Sequence, residues 1–205
     1  GRVALTPGFR QALQYRDLLE AKLEFARLAL PDVAQLLPVM LHAPDEFRRR
    51  SRIYSLFSYG RSVDDTPENC QATARWMRFT TALTRYEGQV LATRPEFARR
   101  RRLLDIGGNS GELALQLCRR HPALQVTVLD LPVVCRLGEQ HVRGRPEAGR
   151  ITFLPGDALA GPLPPGHDLV VFKSVLHDWP DAAAREMIRR ASEALEPGGT
   201  LLIFE

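Results

Sequence analysis

The 205-residue sequence lacks any segment that would place it in a membrane or export it. No apolar run approaches the roughly 18 residues that a transmembrane helix requires. The first residues do not follow the charged, apolar and small-residue order of a signal peptide. Hydrophobic content of 44% and charged content of 25% are ordinary for a soluble globular protein. These observations predict a cytoplasmic protein with one substantial core.

Cysteine is too scarce and too irregularly spaced to organise the fold. The three cysteines, Cys70, Cys118 and Cys135, do not follow a metal-ligand spacing. Their odd number argues against a disulfide framework, and no metal site is predicted. We expect all three to be buried structural thiols.

Lysine is nearly absent, so arginine carries almost all of the positive charge. Only Lys22 and Lys173 are lysines among 28 basic residues, and the net charge is +4. Arginine runs occupy residues 48–50 and 99–102, but no aromatic side chains alternate with them to stack on bases. We expect solvated surface and no nucleic-acid partner, with a phosphate-binding patch as the alternative.

The first part of the chain, residues 1–95, carries apolar residues at helical spacing and predicts a mainly helical segment. One helix is predicted at 9–30 and ended by Pro31, and a second at 33–42 with a kink or break at Pro38. A third begins near residue 44 and extends towards 57. Thr66 and Pro67 form an N-cap and first turn for a long helix to about residue 93.

The second part, residues 96–205, alternates strands with helices, which is typical of a parallel sheet. Strands are predicted at 103–106, 125–129, 151–155, 169–173 and 201–204, and helices at 111–121, 132–142 and 181–195. The predicted fold class is α/β, a Rossmann-like sheet domain preceded by the helical segment. Right-handed crossovers would bring the carboxyl ends of the strands to one edge of the sheet.

The most specific pattern is a strand, a glycine loop, a helix, a second strand and an acid, between residues 103 and 130. The loop reads DIGGNSG at 105–111, and the final acid is Asp130. Glycines let the backbone turn sharply and approach a ligand, and an acid after the second strand can bind ribose hydroxyls. The pattern therefore predicts a bound nucleoside.

The glycine spacing distinguishes between two nucleoside cofactors. A dinucleotide site needs G-x-G-x-x-G, which glycines at 107, 108 and 111 do not supply. The order here is acid-x-Gly-x-x-x-Gly, and an acid beside the loop suits a cofactor with a cationic amino-acid end. This favours S-adenosylmethionine over NAD, with a glycine turn that serves only packing as the alternative.

Several motifs occur together in an order that resembles a known family. The family is that of the class I S-adenosylmethionine-dependent small-molecule O-methyltransferases, which include caffeic acid and acetylserotonin O-methyltransferases. The resemblance covers about residues 103–205 and extends only loosely to the helical segment. The motifs are the loop at 105–111, Asp130-Leu-Pro, Gly156-Asp157, Lys173-Ser-Val-Leu-His177-Asp178-Trp179, Glu196-Pro-Gly-Gly and Glu205.

The resemblance implies a cofactor site along the sheet edge. The loop would hold the methionine end of S-adenosylmethionine, Asp130 the ribose hydroxyls and Asp157 the adenine amino group. Asn109 stands where the family usually has glycine, but asparagine tolerates left-handed backbone angles, so the turn is kept. The whole set is Asp105, Gly107, Gly108, Asn109, Gly111, Asp130, Leu131, Asp157, Ala158 and Lys173.

The resemblance also implies that His177 is the catalytic base. It directly follows a predicted strand at the cofactor edge, and imidazole is suited to take a proton from a phenol or enol. Glu205 resembles the carboxylate that orients this base, and Asp178 would help to shape the site. A strand-end carboxylate facing water and a helix-capping aspartate are the alternatives for these two acids.

The implied acceptor is a small hydroxylated, aromatic metabolite. Trp76 and Met77 on the long helix are the candidates for contacting it, although core packing accounts for their spacing better. Methyl transfer to nitrogen or carbon, and cofactor binding without transfer, remain alternatives.

Both ends of the sequence indicate a piece of a longer protein. Residues 5–7 resemble the exit of the winged-helix region through which this family dimerises, which implies a homodimer for the full-length protein. The apolar strand at 201–204 would leave an uncovered sheet edge, an aggregation hazard. We therefore expect the sheet domain to be truncated at its C-terminus.

Overall fold

The computed structural model describes residues 4–205, so the first three residues of the predicted helical segment lie outside it. Helices occupy the chain from residue 7 to residue 91, with short 3₁₀ turns between some of them. Five helices are present: α1 (Pro7–Ala12), α2 (Arg16–His42), α3 (Pro44–Arg50), α4 (Arg52–Leu56) and α5 (Pro67–Leu91).

Helix α2 continues through two prolines. Pro31 and Pro38 both lie inside it, so the prediction that Pro31 ends the helix is wrong. A proline inside a helix costs about 3 kcal/mol. Contacts with the rest of the chain offset this cost, because buried Asp32 accepts hydrogen bonds from the Ser51 hydroxyl (2.7 Å) and the Ile53 N–H (3.1 Å).

The start of α5 agrees with its sequence signal. The Thr66 hydroxyl accepts a hydrogen bond from the N–H of Asn69 at 3.2 Å, and Pro67 occupies the first turn. The helix predicted from about residue 44 towards 57 is divided, because Ser51 has an extended backbone and caps α4 through the N–H of Tyr54.

The sheet contains five parallel strands in the order β3-β2-β1-β4-β5, which confirms the predicted fold class. The strands are β1 (Arg102–Ile106), β2 (Gln125–Asp130), β3 (Ile151–Pro155), β4 (His167–Lys173) and β5 (Leu195–Phe204). Three helices connect them: α6 (Glu112–Arg120), α7 (Pro132–Val142) and α8 (Asp181–Ala194). Strand β5 is longer than predicted, and its pairing with β4 is irregular between His167 and Leu169.

Helices cover both faces of the sheet, so its strands are apolar on both sides. Leu103 of β1 packs in one core cluster with Leu117 of α6, while Leu104 packs in a second cluster with Met187 of α8. Alternation along each strand directs successive side chains to opposite faces. The core is therefore centred on β1 and β4.

Polar contacts join α5 to the sheet domain. The Thr81 hydroxyl donates to the Ser110 hydroxyl at 2.7 Å. Buried Glu112 of α6 lies 2.7 Å from Nε2 of His141 and 3.5 Å from Nε of Arg85 on α5. Burial acts to raise the pKa of the Glu112 carboxyl, but hydrogen bonds from His141 and Gln116 outweigh it and lower the pKa. These contacts fix the position of α5 above the sheet edge.

The cysteines differ partly from expectation. Cys118 and Cys135 are buried thiols, whereas Cys70 is only half-buried. The prediction of burial is wrong for Cys70, because this residue lies near the start of α5, where its Sγ contacts the guanidinium of Arg136. Within residues 4–205, no helix is both long enough and apolar enough to cross a membrane.

Replacing Gly138 of α7 with alanine should destabilise the fold. A Cβ there would collide with the ring of Phe153 and lie 3.1 Å from the carbonyl oxygen of Asn109. Overpacking of this kind typically costs about 1–3 kcal/mol, which exceeds the helix-propensity gain of about 1 kcal/mol. Denaturant unfolding would measure the loss. Gly8→Ala in α1 is the matched control, since a Cβ there meets nothing within 4 Å. Equal stabilities of the two variants would contradict the packing described.

Candidate active site

The carboxyl ends of the strands surround a cavity of about 320 Å³, which α5 covers from the helical side. Most of the sequence-predicted cofactor residues line it: Asp105, Gly107, Gly108, Asn109, Asp130, Leu131, Asp157, Ala158 and Lys173. Gly111 does not line the cavity; it has a φ of +73° and precedes the first residue of α6. The structure thus brings together residues that are spread over some seventy positions of the sequence.

The glycine loop turns through left-handed backbone conformations. Gly107 has a φ of +68° and Asn109 a φ of +58°, so asparagine adopts the conformation expected of it. A Cβ on Gly108 would lie 2.6 Å from Oδ2 of Asp105 and 2.9 Å from Val128. Only glycine therefore fits at position 108, where the loop passes close to the Asp105 carboxylate.

Asn109 connects the loop to two neighbours, once through its backbone and once through its side chain. Its backbone N–H donates to Oδ2 of Asp130 at 2.8 Å. Its side-chain amide donates to the hydroxyl of Thr80 on α5 at 3.1 Å, and Thr80 also lines the cavity. The loop is thereby tied both to β2 and to the helical part.

Two aspartates, Asp105 and Asp130, lie at the floor of the cavity, and both are weaker acids than an ordinary aspartate. Asp105 is buried, and its Oδ2 has no hydrogen-bond partner among residues 4–205. Burial, and next the charge of Asp130, raise the pKa of Asp105 to about 7, while Lys173 acts in the opposite direction. Burial also raises the pKa of Asp130 to about 6, against the hydrogen bonds from the N–H groups of Leu131 and Asn109.

Lys173 places a cation opposite these acids. Its side chain is only 10% exposed, and Nζ lies 2.6 Å from Oε2 of Glu87 on α5. Glu87 also lines the cavity. The sequence does not predict it, because its partner Lys173 lies far along the chain and no local pattern connects the two. Asp157 lines the cavity and its Oδ1 also accepts from the N–H of Leu159 at 2.8 Å, as a turn-capping acid would.

His177 and Glu205 adjoin the cavity without lining it. Oε1 of Glu205 accepts hydrogen bonds from the N–H groups of Val175 (3.0 Å) and Leu176 (2.9 Å), and Oε2 hydrogen-bonds Nδ1 of His177. Burial acts to raise the pKa of Glu205, but the backbone donors and His177 outweigh it and lower the pKa. Nε2 of His177 points towards Oδ1 of Asp178, 3.6 Å away, and Asp178 does line the cavity.

Aromatic side chains form the wall of the cavity on the side of Asp178. Trp76 and Trp179 line it together with Tyr59, which no sequence motif marks. The ring centroid of Tyr59 lies 5.5 Å from that of Trp76 and 6.3 Å from that of Trp179. Met77 is buried beside Trp76 but borders a different groove, between α2, α5 and α7.

A parallel α/β sheet with a glycine loop, a buried acid at the end of the second strand and a histidine–carboxylate pair at the same edge is typical of a domain that binds a nucleoside cofactor. The sequence profile of the O-methyltransferase domain family matches residues 41–205. The chain therefore belongs to that family, which confirms the resemblance drawn from the motifs.

Two curated relatives are similar over half or more of the chain. The 3-hydroxy-5-methyl-1-naphthoate 3-O-methyltransferase of Streptomyces sahachiroi is 43% identical over 105 residues, which are 51% of this chain and 30% of that protein. The N,N-dimethyltransferase OxyT of Streptomyces rimosus is 34% identical over 148 residues, which are 72% of this chain and 42% of that protein. The chain thus spans less than half the length of these relatives.

A solved structure supports the same assignment. The O-methyltransferase NcsB1 from neocarzinostatin biosynthesis, in complex with S-adenosyl-L-homocysteine and 1,4-dihydroxy-2-naphthoic acid, superimposes with a TM-score of 0.62 at 29% identity. The match covers 66% of this chain and 41% of NcsB1. A cofactor of the S-adenosylmethionine type therefore agrees with the family.

Stability should fall as the pH rises, because Asp105 is harder to ionise in the folded protein. A carboxyl whose pKa is raised to about 7 binds more protons when folded than when unfolded, so its contribution is complete below about pH 4 and is lost as the pH rises through 7. Asp105→Asn removes this titration. Unfolding free energies at pH 5 and pH 8 should fall with pH more steeply in the wild type than in the variant. Parallel pH dependences would show that Asp105 ionises normally.

Proposed function

We propose that the protein transfers the methyl group of S-adenosylmethionine to a hydroxyl of a small aromatic metabolite, with His177 as the general base. The observation that carries this proposal is that two sites share one sheet edge. The nucleoside cradle lines the cavity, and the His177–Glu205 pair adjoins the same cavity through Asp178. Membership of the O-methyltransferase domain family supports the reaction type.

The cavity residues fit S-adenosylmethionine by their own chemistry. The unpartnered Oδ2 of Asp105 can accept a hydrogen bond from a cationic amino-acid end. Each oxygen of Asp130 accepts one backbone N–H and keeps a second lone pair for a ribose hydroxyl. Gly107 and Gly108 line the cavity, so a ligand there can approach the loop backbone closely.

Alignment of the acceptor is the larger part of the task. S-adenosylmethionine supplies a methyl group that its sulfonium already activates, so the chain must orient the acceptor oxygen and remove its proton. Orientation can contribute about 7–11 kcal/mol at best, whereas a positioned base contributes roughly 10²- to 10⁴-fold in rate. The rings of Tyr59, Trp76 and Trp179 are placed to stack on an aromatic acceptor.

His177 would act through Nε2. Glu205 would accept a hydrogen bond from Nδ1–H of His177, which fixes the tautomer with the lone pair on Nε2. As the acceptor oxygen bonds to the methyl carbon, the bond from that carbon to sulfur would break and S-adenosylhomocysteine would leave, while the acceptor's O–H bond would break and its proton would pass to Nε2 of His177. The resulting imidazolium is stabilised by Glu205, whose lowered pKa keeps it an anion.

A naphthoate-like acceptor is favoured by the relatives, and nitrogen is the second candidate for the accepting atom. The Streptomyces sahachiroi relative acts on a hydroxynaphthoate, and an aromatic wall suits such a bicyclic ring. OxyT, by contrast, is named as an N,N-dimethyltransferase and is similar over a longer stretch of this chain. A weakly basic amine is already neutral near pH 7 and can attack without prior loss of a proton, whereas a hydroxyl must be deprotonated. Dependence of turnover on His177 therefore distinguishes an oxygen acceptor from a nitrogen acceptor.

Asp130→Asn should weaken the binding of S-adenosylmethionine. Hydrogen bonds to a charged group are worth about 1.5–3 kcal/mol, which corresponds to roughly 10- to 100-fold in Kd. Isothermal titration with S-adenosylmethionine and S-adenosylhomocysteine would measure the change. Asp45→Asn on exposed α3 is the control and should bind as the wild type does. Unchanged affinity in Asp130→Asn would contradict the ribose-binding role.

His177→Ala should reduce turnover of hydroxylated naphthoates by roughly 10²- to 10⁴-fold, since it removes the positioned base. The affinity for S-adenosylhomocysteine should stay unchanged, because His177 does not line the cavity. His42→Ala, at the end of α2, is the control for loss of an exposed histidine. Turnover that survives in His177→Ala would overturn the role of His177 and favour transfer to nitrogen.

A further inference from the structure

Tyr59, in the wall of the cavity, makes a contact that neither the family assignment nor the sequence motifs account for. It lies in the short 3₁₀ turn at Tyr59–Ser62, in the helical part of the chain. Its hydroxyl donates to Oδ2 of Asp178 at 2.6 Å, over a sequence separation of 119 residues. The rings of Trp76 and Trp179 on either side hold the phenol in place.

The Tyr59 hydroxyl acts only as a donor here. Burial raises the pKa of Tyr59, and the hydrogen bond to Asp178 and the charges of Asp178 and Asp130 raise it further. The phenol therefore stays protonated over the whole range in which an enzyme of this kind works. Asp178 always faces a neutral donor on its Oδ2 side.

The other oxygen of Asp178, Oδ1, faces Nε2 of His177, the nitrogen proposed to accept the proton. Oδ1 lies 3.6 Å from Nε2 of His177, which is too long for a hydrogen bond. Nδ1 already has a carboxylate partner in Glu205. A second carboxylate in hydrogen-bond contact with Nε2 would favour the doubly protonated imidazolium, which has no lone pair to accept a proton.

We propose that Tyr59 is a positioning residue whose hydroxyl holds the Asp178 carboxylate off Nε2 of His177 and so keeps that nitrogen free to accept the acceptor's proton. The inference rests on the proposed role of His177 as the base. Tyr59 need not touch the reacting atoms, because it acts through Asp178. It also couples the helical part to proton transfer, since the turn that carries it belongs to that part.

The charged and titratable groups around His177 come from three places. Glu205 approaches from the end of β5, Asp178 from the same turn as His177, and Tyr59 from the helical part through Asp178. Asp130 acts on Tyr59 from β2. Tyr59→Phe changes only one of these, because it removes the hydroxyl and keeps the ring between the two tryptophans.

The test is an NMR titration of the His177 imidazole, which reports on the proton without requiring turnover. In Tyr59→Phe the released Asp178 can close from 3.6 Å to hydrogen-bond distance from Nε2, so the titration midpoint should move to higher pH, by up to about one unit because the opposite charge comes closer. The double variant Tyr59→Phe with Asp178→Asn removes the anion, so its midpoint should return to the wild-type value or fall below it.

Tyr86→Phe is the matched control for this titration. The Tyr86 hydroxyl also donates to a carboxylate, Oδ1 of Asp17 at 2.6 Å, but that pair lies between α5 and α2. Loss of such a bond should leave the midpoint of His177 unchanged. An unchanged or lowered midpoint in Tyr59→Phe, or an equal shift in Tyr86→Phe, would overturn the proposal.

Kinetics distinguishes this inference from the proposed function. The acid limb of the kcat profile should move to higher pH in Tyr59→Phe with the midpoint, turnover should recover at alkaline pH, and KM for the acceptor should change little. A purely structural role would lower turnover equally at every pH. If His177→Ala keeps the wild-type acid limb, the base assignment fails. If the limb belongs to His177 but does not move in Tyr59→Phe, only the inference about Tyr59 fails.

Discussion

Parallel pairing of β1 with β2 on one side and with β4 on the other is the constraint on which the site depends. Parallel strands end at the same edge, so Asp105, Asp130 and Lys173 meet there although helices separate them in the sequence. The pairing also buries β1 on both faces, which removes water from the Asp105 carboxyl. A shift of one residue would turn this side chain to the other face of the sheet.

The cavity concentrates charges that the fold would not tolerate elsewhere. An unpartnered buried carboxyl is costly, and two acids with raised pKa values share the floor with a single lysine. Glu87 reaches down from α5 to that lysine, so the helical part contributes to the balance of charge as well as to the aromatic wall. Local conflicts of this kind are typical of functional sites, where packing alone does not decide the residue.

The parts of this molecule that local sequence determines were predictable, and those that distant contacts determine were not. The bounds of β3 and α7 agree with prediction because alternating apolar residues, proline and glycine mark them within a few positions. The glycine loop was recognisable for the same reason. Helix α2 continues through Pro31, and the contacts of Asp32 with Ser51 and Ile53 that accompany it are distant ones that no local pattern reveals. No local pattern marks Tyr59 or Glu87, because each contacts a residue far along the chain.

The two halves of the site differ in how much chain must be ordered before each can form. The contact between Asn109 and Asp130 closes a loop of 21 residues, whereas the contact between Tyr59 and Asp178 closes one of 119. Long-range contacts carry a larger loop-closure entropy and open more readily when the element that supplies them is loosely held. The contact of the glycine loop with Asp130 thus forms within a short stretch of chain, whereas the proposed control of proton transfer by Tyr59 rests on a far more non-local contact. Loosening of the turn at Tyr59–Ser62 would therefore release Asp178 while the contact between the glycine loop and Asp130 stays in place.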